Sequence, residues 1–308
     1  MKPGKQDLRD YVKARLASVT VLAALGAALD RQGEGPPKDP ELRERVDEIL
    51  CAAGLADIVK HTSPADAKQI VAEIRFNMLL DASFVSRPIG SFGWRDSDLE
   101  ILRAGGTLSA GFADALAHEI LPRLDGILRR LESPEASFLD VGVGVGGLSV
   151  AMAQRWPSLN VVGIDPWMQA LSVAREAVER AGLADRIQLR EQAAEDLSDQ
   201  NAFDLAWLPT AFLPSRVIPT ACQRLRQALR PGGWLLFAMA SPGNDPLGVS
   251  IARLRTTLWG GAPIAFQQVE KLLSEAEFKD VETLPSSPGS IVSLVAARRP
   301  PDQDSTLT

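Results

Sequence analysis

The sequence predicts an α/β protein in which an all-helical region precedes a mostly parallel sheet. Apolar residues recur at helical spacing through residues 1–131, and no strand pattern occurs there. From about residue 132, short apolar runs alternate with helical patterns, which is typical of a parallel sheet with helices on both faces. The last two runs are separated by only a few residues, which favours an antiparallel hairpin. We therefore expect a helical domain over 1–131, an α/β domain over 132–299 and a flexible tail over 300–308.

The helical region contains clear start signals. Asp39-Pro40 and Ser63-Pro64 each place a capping side chain before a proline, the preferred order at a helix N-terminus. A helix is also expected over residues 8–29, and a short one from Asp96 or Ser97 to Arg103. Gly105-Gly106 is expected to break that short helix, and a longer one then follows over about 108–131. Residues 84–94 are too irregular in composition for a helix.

The α/β region contains seven apolar runs of strand length. They cover residues 137–141, 160–164, 187–190, 203–208, 234–240, 281–284 and 291–297. Helical patterns separate the first run from the second, the second from the third and the fourth from the fifth, and another precedes the sixth. The sequence therefore predicts a seven-stranded, mostly parallel sheet that ends in an antiparallel hairpin.

Composition excludes several classes of protein. The 308 residues are 45% hydrophobic, which rules out a wholly disordered chain, and the net charge of −6 argues against a nucleic-acid-binding surface. Two cysteines, Cys51 and Cys222, make neither a disulfide scaffold nor a zinc site, so a reducing cytoplasmic location is expected.

Residues 16–29 are almost continuously apolar. A buried helix is the favoured interpretation, a signal peptide is the alternative, and no membrane association is expected because 14 residues are too few to span a bilayer.

A glycine-rich loop follows the first predicted strand. Gly142, Gly144 and Gly147 satisfy G-x-G-x-x-G, so a nicotinamide dinucleotide site is one interpretation. Asp165 ends the second strand, 23 residues after Gly142, where a carboxylate can accept both hydroxyls of a ribose. Asp140 lies two residues before the first glycine, where it would repel a pyrophosphate and suit an ammonium or sulfonium group. A turn-capping role for Asp140 is the structural alternative.

At these residues the chain resembles the class I S-adenosylmethionine-dependent methyltransferases, specifically bacterial small-molecule enzymes with an N-terminal helical domain. Six segments carry the resemblance in the family's order: DVGVGVG at 140–146, VVGID at 161–165, AEDL at 194–197, FDLAW at 203–207, LRPGG at 229–233 and VEKLLSEAEF at 269–278. The resemblance covers about residues 135–298 and implies a Rossmann-like fold. One departure is Gln192-Ala193, where many members carry an acid that binds the adenine amino group.

The resemblance implies S-adenosylmethionine as the cofactor. It places the methionine part on the first motif, the ribose on Asp165, and the adenine near Ala194, with Glu195 in doubt. Trp167 could cover an adenine face or simply pack on a helix. The expected cofactor-binding residues are Asp140, Gly142, Gly144, Gly146, Asp165, Pro166, Trp167, Ala194, Glu195, Trp207, Leu208 and Ser109.

The methyl acceptor is expected to be a small, largely apolar metabolite. Aromatic and polar residues near the predicted cleft are the candidate substrate contacts: Phe84, Trp94, Thr210, Phe212 and Trp259. The alternative is that the aromatic residues form an interdomain core. His61, His118 and Tyr11 all lie in the helical region, so no catalytic base is assigned, and scattered acids with few histidines indicate no metal site.

The predicted activity is therefore methyl transfer from S-adenosylmethionine to an oxygen, nitrogen or carbon atom. Catalysis would come mainly from proximity and orientation. The alternatives are a nicotinamide-dependent oxidoreductase and a non-methylating protein that binds S-adenosylmethionine on the same fold. A homodimer through the N-terminal helices is the expected assembly, with no nucleic-acid partner.

Overall fold

The computed structural model describes residues 5–31, 39–87, 93, 98–241, 245–261, 263–285 and 292–301. The chain divides into two compact units, Met1–Arg87 and Pro88–Thr308. Residues 99–131, which the sequence analysis placed in the helical domain, belong to the second unit together with the sheet. The change from helical to alternating sequence near residue 132 therefore falls inside the second unit.

The described part of the first unit consists of four helices. They are α1 (Lys5–Asp30), α2 (Pro40–Ala52), α3 (Ala56–His61) and α4 (Pro64–Ser86). Both predicted start signals are confirmed: Asp39 Oδ1 accepts from the Leu42 N–H at 3.0 Å, and Ser63 Oγ accepts from the Asp66 N–H at 3.1 Å. Helix α4 extends to Ser86, so Phe84 is helical rather than part of an irregular segment.

Helix α1 packs only along its C-terminal part. Leu29 is buried with Ala67 and Val71 of α4, whereas residues 7–20 are all exposed. Among the described residues, Asp7–Asp30 is the one helix that by length and composition could cross a membrane. A signal sequence or a helix of a soluble protein meets the same criterion, so this finding does not separate them.

The second unit begins with helices and continues into the sheet. Its helices in the described residues are α5 (Leu99–Ala110), α6 (Phe112–Ala115), α7 (Ile127–Leu131), α8 (Gly147–Arg155), α9 (Met168–Arg180), α10 (Ile218–Ala228), α11 (Pro246–Leu258) and α12 (Phe266–Glu275). Its strands are β1 (Ser137–Val141), β2 (Asn160–Asp165), β3 (Ile187–Glu191), β4 (Phe203–Pro209), β5 (Leu229–Ala240), β6 (Lys279–Leu284) and β7 (Val292–Arg298).

The seven strands form one sheet in the order β3-β2-β1-β4-β5-β7-β6. The first five strands are parallel, and β7 runs antiparallel between β5 and β6. This arrangement confirms the predicted mostly parallel sheet with an antiparallel end. Since the carboxyl ends of parallel strands meet at one edge, the loops after β1, β2 and β4 lie side by side there.

The helices before β1 differ from the prediction. Helix α5 runs from Leu99 to Ala110 straight through Gly105-Gly106, so the predicted break is wrong. The predicted long helix over 108–131 is also wrong: a π-helical turn (Leu116–Ile120) and a 3-10 turn (Leu121–Arg123) interrupt it, and α7 starts afterwards. Pro122 has no backbone N–H to donate, and Gly126 adopts φ +72°, and both disrupt a continuous helix.

The amino-end edge of the sheet contains a buried acid with cationic partners. Asp204 on β4 is 4% exposed. Its carboxylate forms ion pairs with Arg130, at 3.3 Å, and with Arg230, and it accepts the Ser137 N–H at 3.1 Å. These contacts join α7, the start of β1, the start of β4 and the start of β5.

Candidate active site

The loop between β1 and α8 has the geometry of a ligand cradle. Gly142, Gly144 and Gly146 have φ values of +66°, +54° and +82°, a region that side chains with a Cβ rarely adopt. The loop is anchored to β2, because the N–H groups of Gly142 and Val143 both donate to the Ile164 carbonyl. The loop leads into the N-terminus of α8, where free N–H groups and the positive end of the helix dipole favour negative charge.

Asp165 links this loop to the end of β2. It is 6% exposed, and its Oδ2 accepts the Gly144 N–H at 3.0 Å while its Oδ1 accepts the Trp167 N–H at 2.9 Å. These two N–H groups fix the orientation of the carboxylate at the end of β2. Pro166, the next residue, is exposed, and Trp167 is half-buried against Leu102 and Val145.

Asp140 is the second buried acid at this edge. It is 3% exposed, and Ser149 Oγ donates to its Oδ2 at 2.7 Å. The pKa of Asp140 is raised to about 7, mainly by burial. The Ser149 hydrogen bonds lower the pKa and the negative charge of Asp165 raises it, and both effects are smaller than that of burial. Among the described residues, no lysine or arginine forms an ion pair with Asp140. A cation bound beside it would therefore find a carboxylate without a counterion.

Helix α5 contacts the N-terminus of α8 at Ser109 and Gly106. A methyl group at Gly147 would lie 1.9 Å from the Gly106 carbonyl oxygen and 2.6 Å from Ser109 Oγ. Ser109 itself donates to the Gly106 carbonyl at 3.0 Å. Ser109, which was predicted to begin a helix, therefore lies in the last turn of α5 beside the first residue of α8.

The segment after β3 places Ala194 and Glu195 in a 3-10 turn, Ala194–Asp196. Ala194 is buried and Glu195 is half-buried. Gln192, where the family often has an acid, donates through its backbone N–H to the Asp165 carbonyl at 3.2 Å and through its side chain to the Asp196 carbonyl at 3.0 Å. These bonds attach the turn to the end of β2.

The end of β4 contains the remaining predicted residues of this unit. Trp207 is buried next to Phe112, with ring centroids 5.9 Å apart, and Leu208 is fully buried. Thr210 Oγ1 donates to the Ala238 carbonyl at 2.9 Å, so its hydroxyl joins β4 to β5. Phe212 stacks on Trp259, which follows α11, at 4.9 Å.

Other candidate residues belong to the first unit, to the turns before β1, or to the part of the chain outside the described ranges. Phe84 and the exposed His61 and Tyr11 belong to the first unit, and Trp94 lies outside the described residues. His118 is exposed in the π-helical turn, and its Nδ1 lies 2.9 Å from the Asp114 carbonyl.

Ser149, Gly106 and Gly163 contribute to this site and were not predicted from the sequence. Ser149 supplies the hydroxyl that bonds Asp140, but a serine inside a helix gives no signal of its own. Gly163 interrupts an apolar strand, a pattern that indicates close approach of another backbone. The Gly105-Gly106 pair was visible in the sequence, but it predicted a helix break.

Comparisons with known proteins agree with this geometry. Residues 138–233 match the family described as methyltransferase domain. A malonyl-[acyl-carrier protein] O-methyltransferase of Xylella fastidiosa is 34% identical over 129 residues, 41% of this chain and 43% of that protein. A glycine/sarcosine/dimethylglycine N-methyltransferase of Actinopolyspora halophila is 29% identical over 54% of this chain and 30% of that protein. The chain thus spans less than half the length of these curated relatives.

Two solved structures resemble nearly the whole chain in fold. The pyocyanin biosynthetic protein PhzM has a TM-score of 0.61 and 18% identity, covering 96% of this chain and 98% of its own. Human N-acetylserotonin methyltransferase, solved in complex with S-adenosylmethionine, has a TM-score of 0.56 and 17% identity, covering 95% of this chain and 96% of its own. The fold and the site define the class: this is a protein of the methyltransferase fold.

Proposed function

We propose that this protein transfers a methyl group from S-adenosylmethionine to a small, largely apolar metabolite. The observation that carries the proposal is the pair of buried carboxylates, Asp140 and Asp165, on either side of the positive-φ glycine loop. A cofactor with a ribose and a permanent positive charge matches both acids. The family match of residues 138–233 supports the same assignment.

The residues at this edge fit such a cofactor. Glycines allow the loop backbone to approach a ligand closely. Asp165 is held in position by two N–H groups, and its carboxylate would accept the ribose hydroxyls. Asp140 supplies negative charge for the ammonium or sulfonium part. Ala194 would contact the adenine through its backbone, with Trp167, Pro166 and Glu195 beside it.

The chemistry needed from the chain is mainly orientation. Bound S-adenosylmethionine would supply a methyl group on a positively charged sulfur. The acceptor would attack this methyl carbon from the side opposite the sulfur, which leaves as the neutral thioether. Alignment of the two reactants can contribute about 7–11 kcal/mol. Trp207 and Leu208 at the end of β4, together with Ser109, would hold the reacting end of the site and exclude water.

A nicotinamide-dependent oxidoreductase is the weaker alternative. An all-parallel dinucleotide sheet has the order 3-2-1-4-5-6, whereas here the antiparallel β7 lies between β5 and β6. Asp140 also disfavours a pyrophosphate on the loop. Isothermal titration with S-adenosylhomocysteine and with NADH separates the two: we expect micromolar binding of the first and none of the second. Binding of NADH alone would overturn the proposal.

The acceptor would contact the aromatic pair Phe212 and Trp259. Their stacked rings follow the end of β4, and Thr210 is another proposed contact there. Phe212→Ala should raise the KM for an aromatic or aliphatic acceptor at least fivefold and leave the affinity for S-adenosylhomocysteine unchanged. We also propose that the acceptor is a natural product of secondary metabolism and that the protein is located in the cytoplasm.

We further propose a homodimer formed through α1. Six exposed apolar residues lie within one face of this helix: Leu8, Tyr11, Val12, Leu16, Val19 and Leu22. A helix face of this kind is normally covered. Leu16→Glu with Val19→Glu should convert a dimer to a monomer in light scattering, while Leu254→Glu, an exposed leucine on α11, should not. A wild-type monomer, or a monomer that binds neutral lipid vesicles through α1, would contradict the dimer.

A further inference from the structure

Two valines alternate with the three positive-φ glycines in the loop between β1 and α8. Val143 and Val145 are 6% and 9% exposed, so both side chains point into the protein, whereas Gly142 at the start of the loop is exposed. The shape of the loop depends on how the two valines are held.

Each valine lies against a glycine of another element. A methyl group at Gly163 on β2 would lie 2.7 Å from Val143 Cγ2, and one at Gly106 on α5 would lie 2.3 Å from Val145 Cγ2. Real Cβ contacts are not this short, so both glycines create space that the valines fill. Val145 is further packed with Leu102 of α5 and Val173 of α9.

Displacing Val145 would also move the loop backbone. Gly144, the residue before it, donates its N–H to Asp165 Oδ2 at 3.0 Å, and Gly146, the residue after it, donates its N–H to the Val143 carbonyl at 2.9 Å. A shift of Val145 would weaken the bond that orients Asp165. The packing on α5 is therefore connected to the ribose-binding acid.

We propose that Gly106 and Gly163 are positioning residues for the cofactor: they hold Val145 and Val143 so that the loop and Asp165 keep their binding geometry. This proposal rests on the proposed function. Gly106 is the more informative of the two because it lies in the interior of a helix, where alanine ordinarily favours the helical state over glycine. Helix propensity therefore predicts that Gly106→Ala stabilises α5, whereas the contact with Val145 predicts that it distorts the loop and weakens cofactor binding.

The test is a double-mutant cycle on Gly106→Ala and Val145→Ala, measured by isothermal titration with S-adenosylhomocysteine. We expect Gly106→Ala to weaken binding at least tenfold and Val145→Ala to change it less than threefold. The double variant should return to within threefold of Val145→Ala, because the smaller side chain removes the clash. Gly26→Ala in α1 is the matched control, since a methyl group there would meet Ile74 at an ordinary 3.5 Å.

Hydrogen exchange of the unliganded protein is the second measurement. The Gly144 amide should exchange at least tenfold faster in Gly106→Ala than in wild type, and at the wild-type rate in Gly26→Ala. If the wild type binds no S-adenosylhomocysteine, the proposed function fails. The exchange rate of the Gly144 amide would then still test whether Gly106 positions the loop. If Gly106→Ala does not fold, Gly163→Ala with Val143→Ala provides the equivalent cycle. Unchanged affinity and exchange in Gly106→Ala, or no recovery in the double variant, would overturn the proposal.

Discussion

The two edges of the sheet each bury a carboxylate, and the two acids differ in their partners. Asp204 at the amino-end edge, 4% exposed, forms ion pairs with Arg130 and Arg230. Asp140 at the carboxyl-end edge, 3% exposed, has the Ser149 hydroxyl as its side-chain donor, and another acid, Asp165, raises its pKa. The fold thus compensates the charge of Asp204 with two arginines, whereas no lysine or arginine of the described residues pairs with Asp140.

Asp140 should make the unliganded protein less stable as the pH rises. Below about pH 4 the residue is neutral in both states, whereas between about 4 and 7 the folded protein keeps a proton that the unfolded chain has lost. Stability therefore falls through this range and levels off above pH 7. At about 1.36 kcal/mol per pKa unit, the loss is on the order of 4 kcal/mol.

Asp140→Asn tests this pH dependence. Denaturant unfolding at pH 5 and pH 8 should show a larger stability decrease in wild type than in the variant. Equal decreases would contradict an uncompensated charge at Asp140.

Asp204→Ala should have the next largest effect, a loss of stability. Removing the acid leaves two arginines close to each other without their shared anion, and the expected destabilisation is about 3 kcal/mol. Urea unfolding measures it. Because the arginines are about one-third exposed, a value below about 1 kcal/mol would show that solvent screens the cluster and that the contrast between the edges is weaker than described.

Asp165→Asn should reduce both affinity and stability, because the amide nitrogen cannot accept the backbone N–H that one of the two carboxylate oxygens accepts in wild type. The amide can accept through one oxygen only, so the ribose loses a charged acceptor, and we expect about 10- to 100-fold weaker binding of S-adenosylhomocysteine by titration. Asp199→Asn, an acid that pairs with Arg190 near β3, is the control and should bind normally.

Thr210→Val should have the smallest effect. The variant removes the hydroxyl that donates to the Ala238 carbonyl, and we expect about 1 kcal/mol of lost stability in urea unfolding. A loss of more than about 3 kcal/mol would show that the carboxyl-end edge depends on internal polar contacts as strongly as the other edge does.

The sequence predicted the sheet more accurately than the helices in front of it. Strand patterns and the glycine loop are local signals, and all seven strands lie where those signals placed them, although β5 begins at Leu229 rather than Trp234. The π-helical turn at Leu116–Ile120 and the passage of α5 through Gly106 depend on tertiary packing, which periodicity does not report.

Site residues could be predicted from the sequence where their place at the end of a strand or in the glycine loop already indicates a ligand contact. Asp140 and Asp165 follow from their places at strand ends. Ser149 and Gly106 act through contacts with Asp140 and Val145 on other elements, so only the fold reveals them. The sequence likewise could not show that the Thr210 hydroxyl bonds β5.

The most direct test of an uncompensated carboxylate is proton release on cofactor binding. Titration of wild type with S-adenosylmethionine at pH 6, in buffers of different ionisation enthalpy, should show release approaching one proton per ligand, because a cation lowers the pKa of Asp140. At pH 9 the release from Asp140 should vanish, and Asp140→Asn should show none at pH 6. Binding without proton release at pH 6, or equal release in Asp140→Asn, would contradict the assignment of Asp140 as the partner of the cofactor's positive charge.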